Sequence, residues 1–150
     1  MSINTSYTAE SILAQWKEDA EIDQIELGDA ARNNPKLHAK YLELYFAEKA
    51  RLIRLQDQLK RMKKLRYEYW DGRMSIEEMR ERGWTPQPLK ILKAELPMYL
   101  EGDDILGELS LKVGIQAEKV NVLDMIIKHV VNRGFAVKSA IDWEKFRSGG

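Results

Sequence analysis

Three features of this sequence predict an all-α fold, a long helical hairpin followed by C-terminal helices. Helix formers dominate nearly every stretch, and alternating β-branched runs are missing. Apolar residues also recur at spacings of three and four, the stripe that a helix buries.

The first helix is expected from about Thr8 to Asn33, with Thr8 as N-cap and Ile12, Leu13, Trp16, Ala20, Ile25 and Leu27 as its loose apolar set. Asn33-Asn34-Pro35 reads as a break, because proline disfavours a helical residue before it yet suits the first turn of a new helix. A second helix then runs from Pro35 to about Trp70, with a coiled-coil-like seam of Leu52, Leu55, Leu59 and Met62. Continued onward, that count lands on Arg66 and Tyr69, and an arginine in line with an apolar seam needs a partner or an exit to water. Asp71-Gly72 ends the helix through a left-handed glycine.

Ser75 opens a short helix that Gly83 closes, and Thr85-Pro86-Gln87-Pro88 is a further break. Pro97 limits any helix through Leu89–Leu96, so residues 74–100 read as a surface excursion. A third long helix is expected from about Asp103 to Asn132. Its seam is Leu106, Leu109, Val113, Gln116, Val120, Leu123, Ile127 and Val130, polar only at Gln116. Arg133-Gly134 caps it, and a last amphipathic helix carries Phe135, Val137, Ala140, Ile141, Trp143 and Phe146. The organisation expected is a 1–100 region with the basic segment and the excursion, and a 101–150 region whose several apolar faces favour self-association, the other reading of its seam being the intramolecular core of a helical bundle.

Composition narrows the function. No run approaches the roughly 20 apolar residues that cross a bilayer, and no basic-then-apolar signal opens the chain. The absence of cysteine excludes disulfides, thiol catalysis and thiolate metal sites. The expectation is a soluble intracellular protein with no membrane partner. Glycine-rich phosphate loops of the GxxxxGK[ST] or GxGxxG kind are missing, and His38 and His129 stand alone. Glu77-Glu78 and Asp103-Asp104 sit at helix starts, where the macrodipole favours negative charge. We therefore expect no catalytic residue, no metal and no cofactor.

The zero net charge conceals an uneven distribution. Residues 1–48 carry four Lys/Arg against nine Asp/Glu, whereas residues 49–73 carry nine against three. Physiological salt limits a charge's reach to about 8 Å, so the acidic front does not neutralise the basic block at contact distance. Within that block, Lys60, Arg61, Lys63, Lys64, Arg66 and Arg73 are combined with Tyr67, Tyr69 and Trp70. Cations that track phosphates, with rings on which bases stack, are the chemistry of single-stranded nucleic-acid binding. A solvated lysine face with its aromatics packed inward has the same spacing. The second reading makes the chain a coiled-coil scaffold or assembly protein with no DNA role.

Several stretches in register add a resemblance. They are Lys17-Glu18-Asp19 with Ile22-Asp23, Ala30-Ala31 to Asn33-Asn34, Tyr41-Leu42, Lys64-x-Arg66 running into Glu68-Tyr69-Trp70-Asp71-Gly72-Arg73, and Arg133-Gly134-Phe135-Ala136-Val137-Lys138 with Phe146. On these the sequence resembles the UvsY family, the recombination mediator proteins of T-even-type phages, over nearly its full length. Between Met74 and Gly102 the resemblance lapses. It implies sequence-independent binding of single-stranded DNA, assembly into a ring-like homo-oligomer, and a place in the cytoplasm of the infected bacterial host. The implied partners are a RecA-like phage recombinase, loaded onto DNA, and the phage single-strand-binding protein that covers the DNA. The family's basic pair maps onto Lys64 and Arg66, and its tyrosine-rich continuation onto Tyr69 and Trp70. Its C-terminal self-assembly maps onto Leu106, Leu109, Val113, Val120, Leu123, Ile127, Val130, Phe135, Trp143 and Phe146.

Overall fold

A computed structural model describes residues 7–87 and 89–149, and it is all-α: five helices and no strand among the described residues. The helices are α1 (Ala9–Asp19), α2 (Leu27–Trp70), α3 (Ile76–Glu81), α4 (Leu96–Glu101) and α5 (Asp104–Arg147). They form two compact units. One comprises Met1–Ala50 with Gln116–Gly150, and the other Arg51–Ile115. The expected division at 100/101 is not followed, because α2 and α5 each contribute residues to both units.

Local signals fix most helix ends. Thr8 and Ser11 form a capping box that opens α1, the Ser11 N–H donating to Thr8 Oγ1 at 3.0 Å and the Thr8 N–H to Ser11 Oγ at 2.9 Å. Gly72 adopts φ 78° after α2, and the Arg73 N–H closes back onto Glu68 O at 3.0 Å. Gly83 repeats the device after α3, at φ 72°, with the Trp84 N–H on Met79 O at 2.8 Å. Ser75 caps α3, and Pro97 sits in the first turn of α4, where its missing N–H is harmless.

Two expected boundaries fall elsewhere. The first helix does not run to Asn33. It ends at Asp19, and α2 begins at Leu27 and continues through Pro35. The cause is a distant residue. Arg133 on α5 donates from Nε to Ala20 O (3.2 Å) and from Nη2 to Glu21 O (2.9 Å), clasping the chain where α1 ends. Its Nη1 reaches Ala30 O (3.4 Å) and Asn34 Oδ1 (2.9 Å), while Asn34 Nδ2 donates to Val130 O (3.0 Å). The stretch of α2 beside the proline is therefore held from α5, and Pro35 removes one backbone bond without ending the helix. The second boundary, Arg133-Gly134, is absent because α5 is continuous through it. Gly134 serves close approach: a Cβ there would lie 3.0 Å from Asn34 Nδ2.

The core of the first unit gathers Ile12 from α1, Leu37 and Tyr41 from α2, and Leu123, Ile126 and Val130 from α5. Trp16 meets Tyr41 edge-on, with ring centroids 5.5 Å apart. The Tyr41 hydroxyl donates to Asp19 Oδ2 (2.8 Å), which also accepts from Lys40 (2.7 Å). Burial pushes the Tyr41 phenol above its ordinary range, and the Asp19 acceptor and charge add to it. Burial also pushes Asp19 up, but the bonds and charges of Lys40, Tyr41 and Arg133 outweigh it and hold the carboxyl low. Gln116, the polar member of the seam, has a buried partner: its Nε2 donates to Glu48 Oε2 (2.6 Å) and Glu48 O (2.8 Å), with Lys119 3.7 Å from the same carboxylate.

The seam expected to join subunits is thus spent largely inside the chain. Leu123 and Val130 are fully buried, Leu106 and Val120 are buried, and Leu109, Val113 and Ile127 are half-buried. We predict that Arg133→Met, which frees the acceptors it holds, destabilises the chain by about 1.5–3 kcal/mol, measured by urea unfolding. An unchanged midpoint would show that the clasp does not hold the fold.

Candidate nucleic-acid interface

The segment from Lys60 to Arg73 divides by face as the second unit packs. Lys60, Arg61, Lys63 and Lys64 are exposed, Leu59, Met62 and Leu65 are half-buried, and Arg66 and Tyr69 are buried. Helical geometry makes that division. Residues two apart point to different sides of the cylinder, so Lys64 and Arg66 cannot share a surface. The Lys64 side chain is 79% exposed, within 3.9 Å of Glu68. Arg61 pairs with Asp57 at 2.9 Å, also at the surface, and surface pairs of this kind add little stability. Lys60 and Lys63 form no ion pair among the described residues.

Arg66 turns inward. Its side chain is 8% exposed, and its Nε donates to Asp103 Oδ2 at 2.7 Å. The Tyr69 and Trp84 ring centroids lie 4.2 and 4.6 Å from its guanidinium carbon, within cation–π range. The Trp70 indole donates to the same Asp103 oxygen at 2.8 Å. Asp103 Oδ1 accepts the Leu106 N–H at 2.9 Å, which makes Asp103 the N-cap of α5. Burial alone would push the Asp103 carboxyl up. The Leu106 N–H, the Trp70 indole and the Arg66 guanidinium outweigh burial and hold it below the usual carboxylate value.

Two expectations about this segment, for Arg66 and Tyr69, are corrected by that geometry. Arg66 is not open to a phosphate, because its charge is taken up by Asp103 and its face by rings. Tyr69 is core: it is buried with Met74 and Met79, and its hydroxyl donates to Thr85 O at 2.6 Å. Trp70 is half-buried, bonded to Asp103 and 5.2 Å from the Tyr99 ring. Tyr67 remains at the boundary, half-buried among the lysines. Arg73 is exposed, bridged to Asp71 at 2.6 Å and 5.8 Å from the Tyr67 ring. Part of the excursion 74–100 packs here, Trp84 against Arg66 and Met74 and Met79 with Tyr69. Asp103, Trp84 and Thr85 were the missed members of this cluster. The sequence signal for a buried partner is an arginine placed where a seam required an apolar residue, and the position of Asp103 at a helix start signals its capping role alone.

Among the assembly residues, Phe135, Trp143 and Phe146 are exposed, and the last two rings stack at 5.7 Å. Among the described residues, no cluster of His, Asp or Glu is placed to hold a metal ion, and no helix is long and apolar enough to cross a membrane.

The pair predicts an acid response. A depressed folded pKa supplies stability that is full above the unfolded value, about pH 4, and is lost as pH falls through the folded value. Asp103→Asn preserves a cap but leaves Arg66 buried without a counter-charge, a loss of about 3–5 kcal/mol at neutral pH. Denaturant unfolding of both proteins should show this gap narrowing below about pH 4. A gap that stays constant as the pH is lowered contradicts the assignment.

The sequence model described as "Recombination, repair and ssDNA binding protein UvsY" matches residues 15–150. The recombination protein uvsY of Enterobacteria phage T4 is 24% identical over 140 residues, covering 93% of this chain and 97% of that protein. Two crystal structures of the bacteriophage T4 recombination mediator protein UvsY superpose with TM-scores of 0.82 and 0.80 at 23% and 24% identity. Each alignment covers 93% of this chain, and 99% and 96% of those chains. The fold is shared over 93% of this chain, and the match of the family model over residues 15–150 establishes that this chain belongs to the UvsY family of recombination, repair and single-stranded-DNA-binding proteins.

Proposed function

We propose that this chain is a non-catalytic recombination mediator working in the cytoplasm of an infected bacterial host. It binds single-stranded DNA without sequence preference and helps load a RecA-like phage recombinase onto DNA covered by single-strand-binding protein. The observation that carries the reading is the row of exposed cations Lys60, Arg61, Lys63 and Lys64 beside the Tyr67 ring on α2. Such a row neutralises phosphates along a strand, and stacking on an aromatic face accepts any base. Arg66 supports it from inside by fixing the end of α2 to the start of α5.

One such row binds weakly, and a ring of copies would supply avidity by raising the effective concentration of neighbouring sites. The surface we assign to assembly is the exposed aromatic set Phe135, Trp143 and Phe146, not the interior residues Leu123 and Val130. In this scheme the ring holds the strand, loosens the grip of single-strand-binding protein and presents DNA to the recombinase.

Two measurements test the reading. Lys63→Ala/Lys64→Ala should keep its unfolding midpoint while the log–log salt dependence of oligonucleotide binding becomes shallower by about 1.4, two contacts at about 0.7 each. Arg66→Ala should weaken binding only together with a loss of stability. Salt-insensitive binding by the unaltered protein would favour the scaffold reading. For assembly, Trp143→Ser/Phe146→Asp should lower particle mass in light scattering at unchanged helicity, whereas Leu123→Asp should unfold the chain. A wild type that is monomeric at micromolar concentration defeats the ring.

A further inference from the structure

Next to the lysine row, within the second unit, lies a groove of about 620 Å³, inside the range of about 300–1,000 Å³ that small-molecule sites occupy. Lys63, Lys64 and Tyr67 of α2 line it, together with Leu100 at the end of α4 and Leu106 and Gly107 in the first turns of α5. Gly107 and Gly114 are the two glycines of α5 with open space around them, and of the two only Gly107 lines the groove. It sits in a regular helix with no positive φ, and a Cβ there would meet nothing within 4 Å. Glycine in a helix interior is unfavourable relative to alanine, and no turn or close packing requires it here. Its missing side chain keeps the groove open.

We propose that this groove receives a nucleobase of the bound strand while Lys63 and Lys64 hold the flanking phosphates. This rests on the DNA-binding reading above and gives that site its base-contacting half. The lining decides which part of a nucleotide enters. Buried Leu106 and half-buried Leu100 offer no counter-charge, and the Glu101 carboxylate, also on the lining, repels a phosphate. A planar, uncharged base suits those surfaces, and the Tyr67 ring supplies a stacking partner. The Ser110 hydroxyl, on the same wall as Gly107, can donate to or accept from any base edge, in keeping with sequence-independent binding.

The test uses the full chain with two fluorescent probes of equal length, an oligothymidylate and an abasic strand with the same phosphates. The wild type should bind the base-bearing strand about 5- to 100-fold more tightly than the abasic one. Gly107→Leu, which fills the groove and favours the helix, should erase most of that difference. Tyr67→Leu, an independent variant on the opposite wall, should do the same and carries the test if the glycine variant does not fold. Equal binding of the two strands by the wild type overturns the groove, as does a difference that survives in every variant that folds. Lys63→Ala/Lys64→Ala separates the phosphate site from the base site. If it weakens both strands while Gly107→Leu and Tyr67→Leu change neither, the phosphate site stands and the base site falls. If it changes neither strand, the DNA-binding reading falls, and this proposal with it.

Discussion

The second unit is organised around a single buried carboxylate. Asp103 caps α5 through the Leu106 N–H, takes the Trp70 indole and neutralises Arg66, so one side chain ties the start of one helix to the end of another. None of these roles can be released alone. A buried ion pair is weak evidence for net stability, since desolvation offsets much of its attraction. Its value here is in specification. The guanidinium packs against the Tyr69 and Trp84 rings, which themselves meet edge-on at 5.6 Å, and this ties α2 to the Met74–Trp84 segment on the side away from Lys64.

The first unit achieves register by related means. Its apolar cluster would tolerate sliding, as leucine seams do. Arg133 and Asn34 lock α5 to α2 and to the end of α1, and Gln116 with Lys119 locks it to Glu48. These polar groups are partnered and, apart from half-buried Asn34, buried, and no buried side-chain N or O lacks a partner among the described residues. Gly134 belongs to the same arrangement, as the point where a Cβ would lie 3.0 Å from Asn34 Nδ2 and press on the amide that bonds Val130 O.

Much of this was legible in the sequence, and the rest was hidden for a common cause. Helical class, the Thr8 and Ser75 caps and the Gly72 and Gly83 stops depend on neighbours a few residues away, and local chemistry announces them. The break expected at Pro35 and the cap expected at Gly134 failed because residues about 100 positions apart support each other, Arg133 and Asn34 above all. The same holds for the site. The exposed cations could be read from composition, but the inward turn of Arg66 required Asp103, 37 positions on. The out-of-pattern arginine in the leucine seam was the one visible trace of that contact. In the C-terminal seam, periodicity marked a buried face correctly but could not say whose surface buries it.

The separation of Lys64 from Arg66 also bears on how such a protein can vary. Lysines on the exposed face keep their charge in water, so a lineage could move a charge from one position to another and keep the field. Arg66 and Asp103 have no such freedom, because either alone strands a charge in the interior. Within one short basic segment, positions free to drift thus alternate with a position that can change only in concert with a residue far along the chain. A family built on this plan should tolerate low overall identity, provided the concealed pair is inherited as a unit.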